Sequence, residues 1–157
     1  MQSIANKTSG KYYSNEKPWT LQNLKCDFAF PCATQNEIDA DGAALLVKNG
    51  VKGVFEGANL PTNMGGQNVL RQKNVLYIPG KAANAGGVAV SGFEMSQNAQ
   101  RLQWKPEEVD KKLQELMENI YKQLKANSGV DGTLEEGANC AGFLKVVTAM
   151  EELGWVY

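Results

Sequence analysis

Val75-Leu76-Tyr77-Ile78 is a four-residue apolar run that opens directly into residues 79–98, PGKAANAGGVAVSGFEMSQN. The run reads as a buried strand. Beyond it the side chains shrink: Gly80, Ala82, Ala83, Ala85, Gly86, Gly87 and Ala89. A strand feeding a helix whose first turns carry almost no side chain lets a ligand or another backbone come very close. On that helix Asn84, Val88 and Ser91 fall at i, i+4 and i+7 and share one face. An amide, an apolar wall and a hydroxyl in one row suit a polar small molecule. The same pattern also arises where a helix simply packs tightly on its sheet.

The segments before this stretch repeat its logic. Residues 26–31, CDFAFP, read as a strand, and residues 36–49 as a helix with Ile38, Ala43, Leu45, Leu46 and Val47 in helical spacing, closed by Asn49-Gly50. Residues 51–56, VKGVFE, give the next strand, and 62–73 a helix weakened by Gly65-Gly66. Strand and helix alternating at short intervals predict parallel βαβ units with right-handed crossovers. Three such strands make an α/β fold equivalent to half of a doubly wound, Rossmann-like sheet. The fingerprint G-x-G-x-x-G of the other half is absent from these residues, and Gly80-Lys81 lacks the rest of a P-loop.

Residues 1–24 are polar and turn-rich, but Tyr12, Tyr13 and Trp19 are too aromatic for a pure linker, so part of this segment is expected to dock on the fold. From Pro106 a long amphipathic helix is predicted, with Val109, Leu113, Leu116, Met117, Ile120, Tyr121 and Leu124 forming its core stripe. A polar loop over 127–137 then leads to a last helix with Asn139 as N-cap, whose apolar residues are Phe143, Val146, Val147, Met150 and Leu153. The chain thus divides into a lead-in (1–24), three βα units (25–103) and additional C-terminal helices (104–157).

Composition narrows the chemistry. The 157 residues suffice for one domain with its own core. The 16 basic and 17 acidic residues leave a formal charge of -1 without long runs of either sign, so no nucleic-acid footprint is present. No apolar stretch approaches the length of a membrane span. Cys26, Cys32 and Cys140 have no metal or disulfide spacing and point to a reducing, cytoplasmic setting. Histidine is absent, which removes Ser-His and Cys-His catalysis and histidine metal sites from these residues; no metal site is expected. Asp39/Asp41, Glu135/Glu136 and Glu151/Glu152 are neighbours in sequence only and read as solvated surface. Cys32 has no base beside it and reads as a loop residue rather than a nucleophile; Lys81 reads as an exposed lysine at a helix start.

Asn84-Ala85-Gly86-Gly87-Val88-Ala89-Val90-Ser91-Gly92-Phe93-Glu94-Met95-Ser96-Gln97-Asn98 resembles the C-terminal helix segment of the hexameric glutamate dehydrogenases. Pro31-Cys32-Ala33-Thr34-Gln35-Asn36-Glu37, Glu56-Gly57-Ala58-Asn59 and Gly137-Ala138-Asn139-Cys140-Ala141-Gly142-Phe143 match the same family in the same order. The resemblance runs from Lys17-Pro18-Trp19 to Tyr157 and covers only the C-terminal part of such an enzyme, so the chain is expected to be a fragment of a larger one.

The resemblance implies a reversible oxidative deamination of L-glutamate to 2-oxoglutarate and ammonia, with NADP as cofactor and NAD as the alternative. It implies that Asn59 and Asn84 approach the nicotinamide ribose and carboxamide, since an amide donates and accepts at once. It likewise puts Ala33, Thr34 and Gln35 along the cofactor cleft, Ser91 on the glutamate side-chain carboxylate, and Val88 at the pocket wall. Ser91-Gly92-Phe93-Glu94 favours glutamate over the related leucine, phenylalanine and valine dehydrogenases. In the family the catalytic lysine and aspartate come from the N-terminal portion, the intact enzyme is a homo-hexamer, and the last helix leans toward the substrate domain. Residues 1–157 alone are therefore expected to be inactive and to expose an apolar patch on that helix. The alternative of another class is a standalone half-Rossmann module that binds protein.

Overall fold

The computed structural model describes residues 2–8, 10–21, 24–130 and 132–154; Tyr157, where the resemblance ends, lies outside the described residues. Three short strands, β1 (Phe28–Ala29), β2 (Gly53–Phe55) and β3 (Leu76–Ile78), form one parallel sheet in the order β1-β2-β3. Phe28 pairs with Gly53, and Gly53 in turn with Leu76. Parallel strands need crossovers, and here α2 (Ala40–Lys48) and α3 (Met64–Gln72) supply them. The architecture is α/β, a partial Rossmann-like sheet followed by further helices.

Each crossover helix is started by a polar side chain. The Asp39 carboxylate accepts the Gly42 N–H at 2.8 Å, so this exposed carboxylate also caps the helix. The Asn63 amide oxygen accepts the Gly66 N–H at 2.9 Å, which offsets the weak propensity of Gly65-Gly66. The core lies between the sheet and these two helices: Ile38, Ala43, Leu46, Val51, Val54 and Leu70 are buried together. Deleting Leu70, which has no exposed surface, to Ala costs about 2–5 kcal/mol.

The lead-in docks through one aromatic. Trp19, in a short 3₁₀ turn (Pro18–Thr20), packs against the core, and its carbonyl accepts the Asn49 side-chain N–H at 3.2 Å. Tyr12 and Tyr13 remain exposed. Before that turn, α1 (Gln2–Thr8) is helical where a polar, turn-rich segment was expected. Within it the Thr8 hydroxyl donates to the Ile4 carbonyl one turn back.

After β3 the expected single helix is two. The short α4 (Gly80–Ala83) ends at Asn84, whose φ of -90° and ψ of 0° interrupt the helix before α5 (Ala85–Gln100). Asparagine followed closely by Gly86-Gly87 is a weak place to continue a helix, so the break falls there. Next, α6 (Pro106–Asn127) follows its predicted stripe, with Leu124 buried and Tyr121 half out in solvent. The last helix, α7 (Leu134–Leu153), begins before Asn139 because Thr133 and Glu136 form a reciprocal capping box. Asn139 is therefore inside the helix and is not its cap. Helices α6 and α7 approach backbone to backbone: a Cβ on Gly137 would stand 2.0 Å from the Leu124 carbonyl oxygen.

Candidate functional site

All three loops that leave the carboxyl ends of the strands meet. Gly57 and Ala58 both donate their N–H to the Pro31 carbonyl at 3.0 Å, joining the loop after β2 to the loop after β1. Leu60 and Pro61 carbonyls accept from Asn36 and Ile38 at 2.9 Å, extending the same seam. The Ala58 carbonyl presses on Gly80, where a Cβ would stand at 2.7 Å; only glycine lets α4 begin that close. Ligands of open parallel sheets bind at this edge.

A cavity of about 650 Å³ opens there. Asn59 enters it from the loop after β2, and Asn84 and Val88 from the α4–α5 junction. Of the residues singled out from sequence, these three are brought together. Val88 is 80% exposed, so it forms an open rim and not a buried wall. Asn84 sits in the helix break, so it does not share one continuous helical face with Val88 and Ser91. Ser91 lies farther along α5, exposed, and does not line this cavity. Ala33, Thr34 and Gln35 are exposed on the loop after β1 and do not line it either. The Ala33 N–H is held by the Glu37 carboxylate at 3.2 Å.

Several lining residues gave no sequence signal of their own. Glu56 directly follows β2 and is fully buried. Its Oε1 accepts the Thr62 N–H at 3.1 Å and its Oε2 the Gly80 N–H at 2.8 Å. The hints to Glu56 are a carboxylate closing the apolar run VKGVFE and its place at the head of Glu56-Gly57-Ala58-Asn59. Tyr77 projects beside it from β3; burial, and then the Glu56 carboxylate, hold its hydroxyl well above the ordinary tyrosine range. The far wall comes from α7. Glu135 pairs with Arg71 of α3 at 2.8 Å, and Asn139 accepts from the Lys81 ammonium. A helix starting at Asn139 would not give this wall; of the two carboxylates expected on solvated surface, Glu135 is partly buried against Arg71 while Glu136 is exposed.

The cavity offers the amides of Asn59, Asn84 and Asn139 for hydrogen bonding, beside the Lys81 ammonium and the Glu135 carboxylate. Among the described residues no cluster of three or more His, Cys, Asp or Glu side chains is placed to hold a metal. Cys26 is partly buried, and Cys32 and Cys140 are exposed, all as free thiols. None of the described helices is long and apolar enough to cross a membrane.

Comparison with known proteins bears on this arrangement. The Glutamate/Leucine/Phenylalanine/Valine dehydrogenase family matches residues 1–154. The NADP-specific glutamate dehydrogenase of Escherichia coli strain K12 is 50% identical over 141 residues, 88% of this chain and 31% of that protein. The glutamate dehydrogenase of Bacteroides thetaiotaomicron is 46% identical over 99% of this chain and 35% of its own length. The crystal structure of Plasmodium falciparum glutamate dehydrogenase superposes with a TM-score of 0.91 at 48% identity, over 99% of this chain and 34% of that one. The chain thus spans about a third of the length of the relatives it matches. These matches show that the chain belongs to the glutamate/leucine/phenylalanine/valine dehydrogenase family.

Proposed function

We propose that these residues supply the carboxyl-edge half of the cofactor cleft, and part of the substrate pocket, of an NADP-linked glutamate dehydrogenase. The reaction takes L-glutamate, NADP and water to 2-oxoglutarate, ammonium, NADPH and a proton, and runs in both directions. The observation that carries this reading is the convergence of the Asn59 and Asn84 side chains, from two different βα loops, on one cavity with Val88 at its rim. Two amides beside an apolar patch fit a nicotinamide nucleoside, whose carboxamide donates and accepts and whose ring face is apolar. When bound, the cofactor takes up the hydride from the substrate Cα.

In this reading Asn59 and Asn84 bind and orient the nicotinamide ribose and carboxamide. Ala33, Thr34 and Gln35 border the cleft next to them, supported by the Pro31 carbonyl that ties their loop to Gly57 and Ala58. Ser91 donates its exposed hydroxyl to the side-chain carboxylate of glutamate, and Val88 separates that pocket from the cofactor. The intact protein is a homo-hexamer acting in the cytoplasm, with NAD as the alternative cofactor. Three free cysteines suit that reducing compartment.

The test uses the native polypeptide that carries these residues, purified and sized against the 17.1 kDa of this chain. Glutamate, leucine and phenylalanine are assayed with NADP and with NAD. Glutamate turnover with NADP is expected. Turnover of leucine or phenylalanine in its place would assign a sister activity, and a native band of 17.1 kDa without turnover would favour the protein-binding module. Ser91→Ala removes a hydroxyl-to-carboxylate bond of roughly 1.5–3 kcal/mol, so the KM for glutamate should rise about 10- to 100-fold. Unchanged kinetics would sink the assignment of Ser91.

A further inference from the structure

We propose that Glu56 is a positioning residue that clamps the Asn59 loop to the Asn84 turn and so sets the spacing of the two cofactor-binding amides; this rests on the cofactor reading above. Glu56 has 0% exposure, which is unusual for a carboxylate, and among the described residues it forms no ion pair. Lys81 lines the same cavity but donates to Asn139. A buried carboxylate is retained where N–H donors replace its water, and here both donors are backbone.

Those donors lie on the two segments that matter. Thr62 closes the loop that carries Asn59, and its N–H binds Oε1 at 3.1 Å. Gly80 opens the turn that carries Asn84, and its N–H binds Oε2 at 2.8 Å. Gly80 is also tied to Asn84 directly, because its carbonyl accepts the Asn84 N–H at 2.9 Å. Ala58, next to Asn59, rests its carbonyl on Gly80, where a Cβ would come within 2.7 Å. One side chain therefore bridges two loops that, among the described residues, are joined otherwise by close backbone contact. Its rigidity comes from the two bonds together, since each oxygen accepts one backbone N–H. Both Glu56 oxygens hold backbone N–H groups, so it acts through the segments that carry the asparagines.

Glu56→Gln tests this in the native polypeptide. Glutamine has the same length, but one of its two heads is an N–H donor and faces a backbone N–H, so one half of the clamp opens. The KM for NADP should rise about 10-fold or more, while the KM for glutamate at saturating NADP changes by less than about 2-fold. A lowered melting temperature with both constants unmoved would make Glu56 purely structural and overturn the proposal. If the unmodified polypeptide turns over no NADP, the cofactor reading falls and the clamp's role falls with it; normal turnover in both forms removes the clamp alone. Should the variant not fold, hydrogen exchange on the unmodified polypeptide decides. Added NADP should slow the Thr62 and Gly80 amides together, and slowing of one without the other would overturn the clamp.

Discussion

The Tyr77 hydroxyl is buried between β3 and the site, with no partner in hydrogen-bond geometry among the described residues. The Glu56 carboxylate still acts on it through space, and burial and that charge together disfavour the phenolate. Because its folded value is raised, the unfolded chain loses this proton first as pH climbs. The stability held by the neutral phenol is complete below the ordinary tyrosine value and is lost as pH rises beyond it. Tyr77→Phe keeps the ring and deletes the hydroxyl. Its urea midpoint should exceed the parent's at neutral pH, because an unpaired buried hydroxyl is gone, and by a wider margin at about pH 11. An equal fall of both proteins between the two pH values would show that Tyr77 carries no alkaline linkage. Neither Tyr77 nor Glu56 was legible as a site residue from sequence. Each sits in an apolar run that reads as a strand, and only the fold shows that their polar ends converge at one edge.

At the scale of elements, the start of α7 matters most, because it builds the far wall of the cavity. Thr133 accepts the Glu136 N–H through its hydroxyl at 3.2 Å, and the Glu136 carboxylate accepts the Thr133 N–H at 2.7 Å. These bonds, the backbone N–H foremost and the Thr133 hydroxyl next, hold the Glu136 carboxyl below the usual carboxylate range. A depressed carboxylate stabilises the fold above its unfolded value, and that contribution is lost as pH falls through the lower folded one. Thr133→Ala should cost about 1 kcal/mol at neutral pH, read by urea unfolding, and the cost should shrink in acid. A pH-independent difference would separate the cap from Glu136. Thr133-x-x-Glu136 is visible in the sequence as a capping box, yet the polar composition of 127–137 suggested a loop instead. The helix break at Asn84 shows the reverse case, in which small residues suggested one helix and the backbone made two.

For the whole molecule, the apolar surface of α7 is the outstanding feature. Phe143, Val146 and Leu153 are 67%, 58% and 86% exposed, while Val147 and Met150 are half-buried. This matches the exposed patch expected from the apolar set of that helix. The 157-residue chain on its own should therefore self-associate as its concentration rises. Phe143→Glu with Val146→Glu should shift sedimentation toward the monomer without lowering the melting temperature, since neither side chain is in the core. A concentration-independent monomer in the parent chain would refute this.

What the sequence determined by itself was the local grammar: three apolar runs, the helices between them, the amphipathic α6, and the small residues around Asn84. Those features follow from periodicity and propensity within a few residues, so no distant contact is needed to read them. The tertiary structure alone decided which residues share the cavity. Arg71 reaches Glu135 across 64 positions, Lys81 reaches Asn139 across 58, and Glu56 reaches Gly80 across 24. Such bonds depend on how strands and crossovers stack, and no short-range pattern encodes that; the carboxyl edge of the sheet gathers them because every βα loop must turn there.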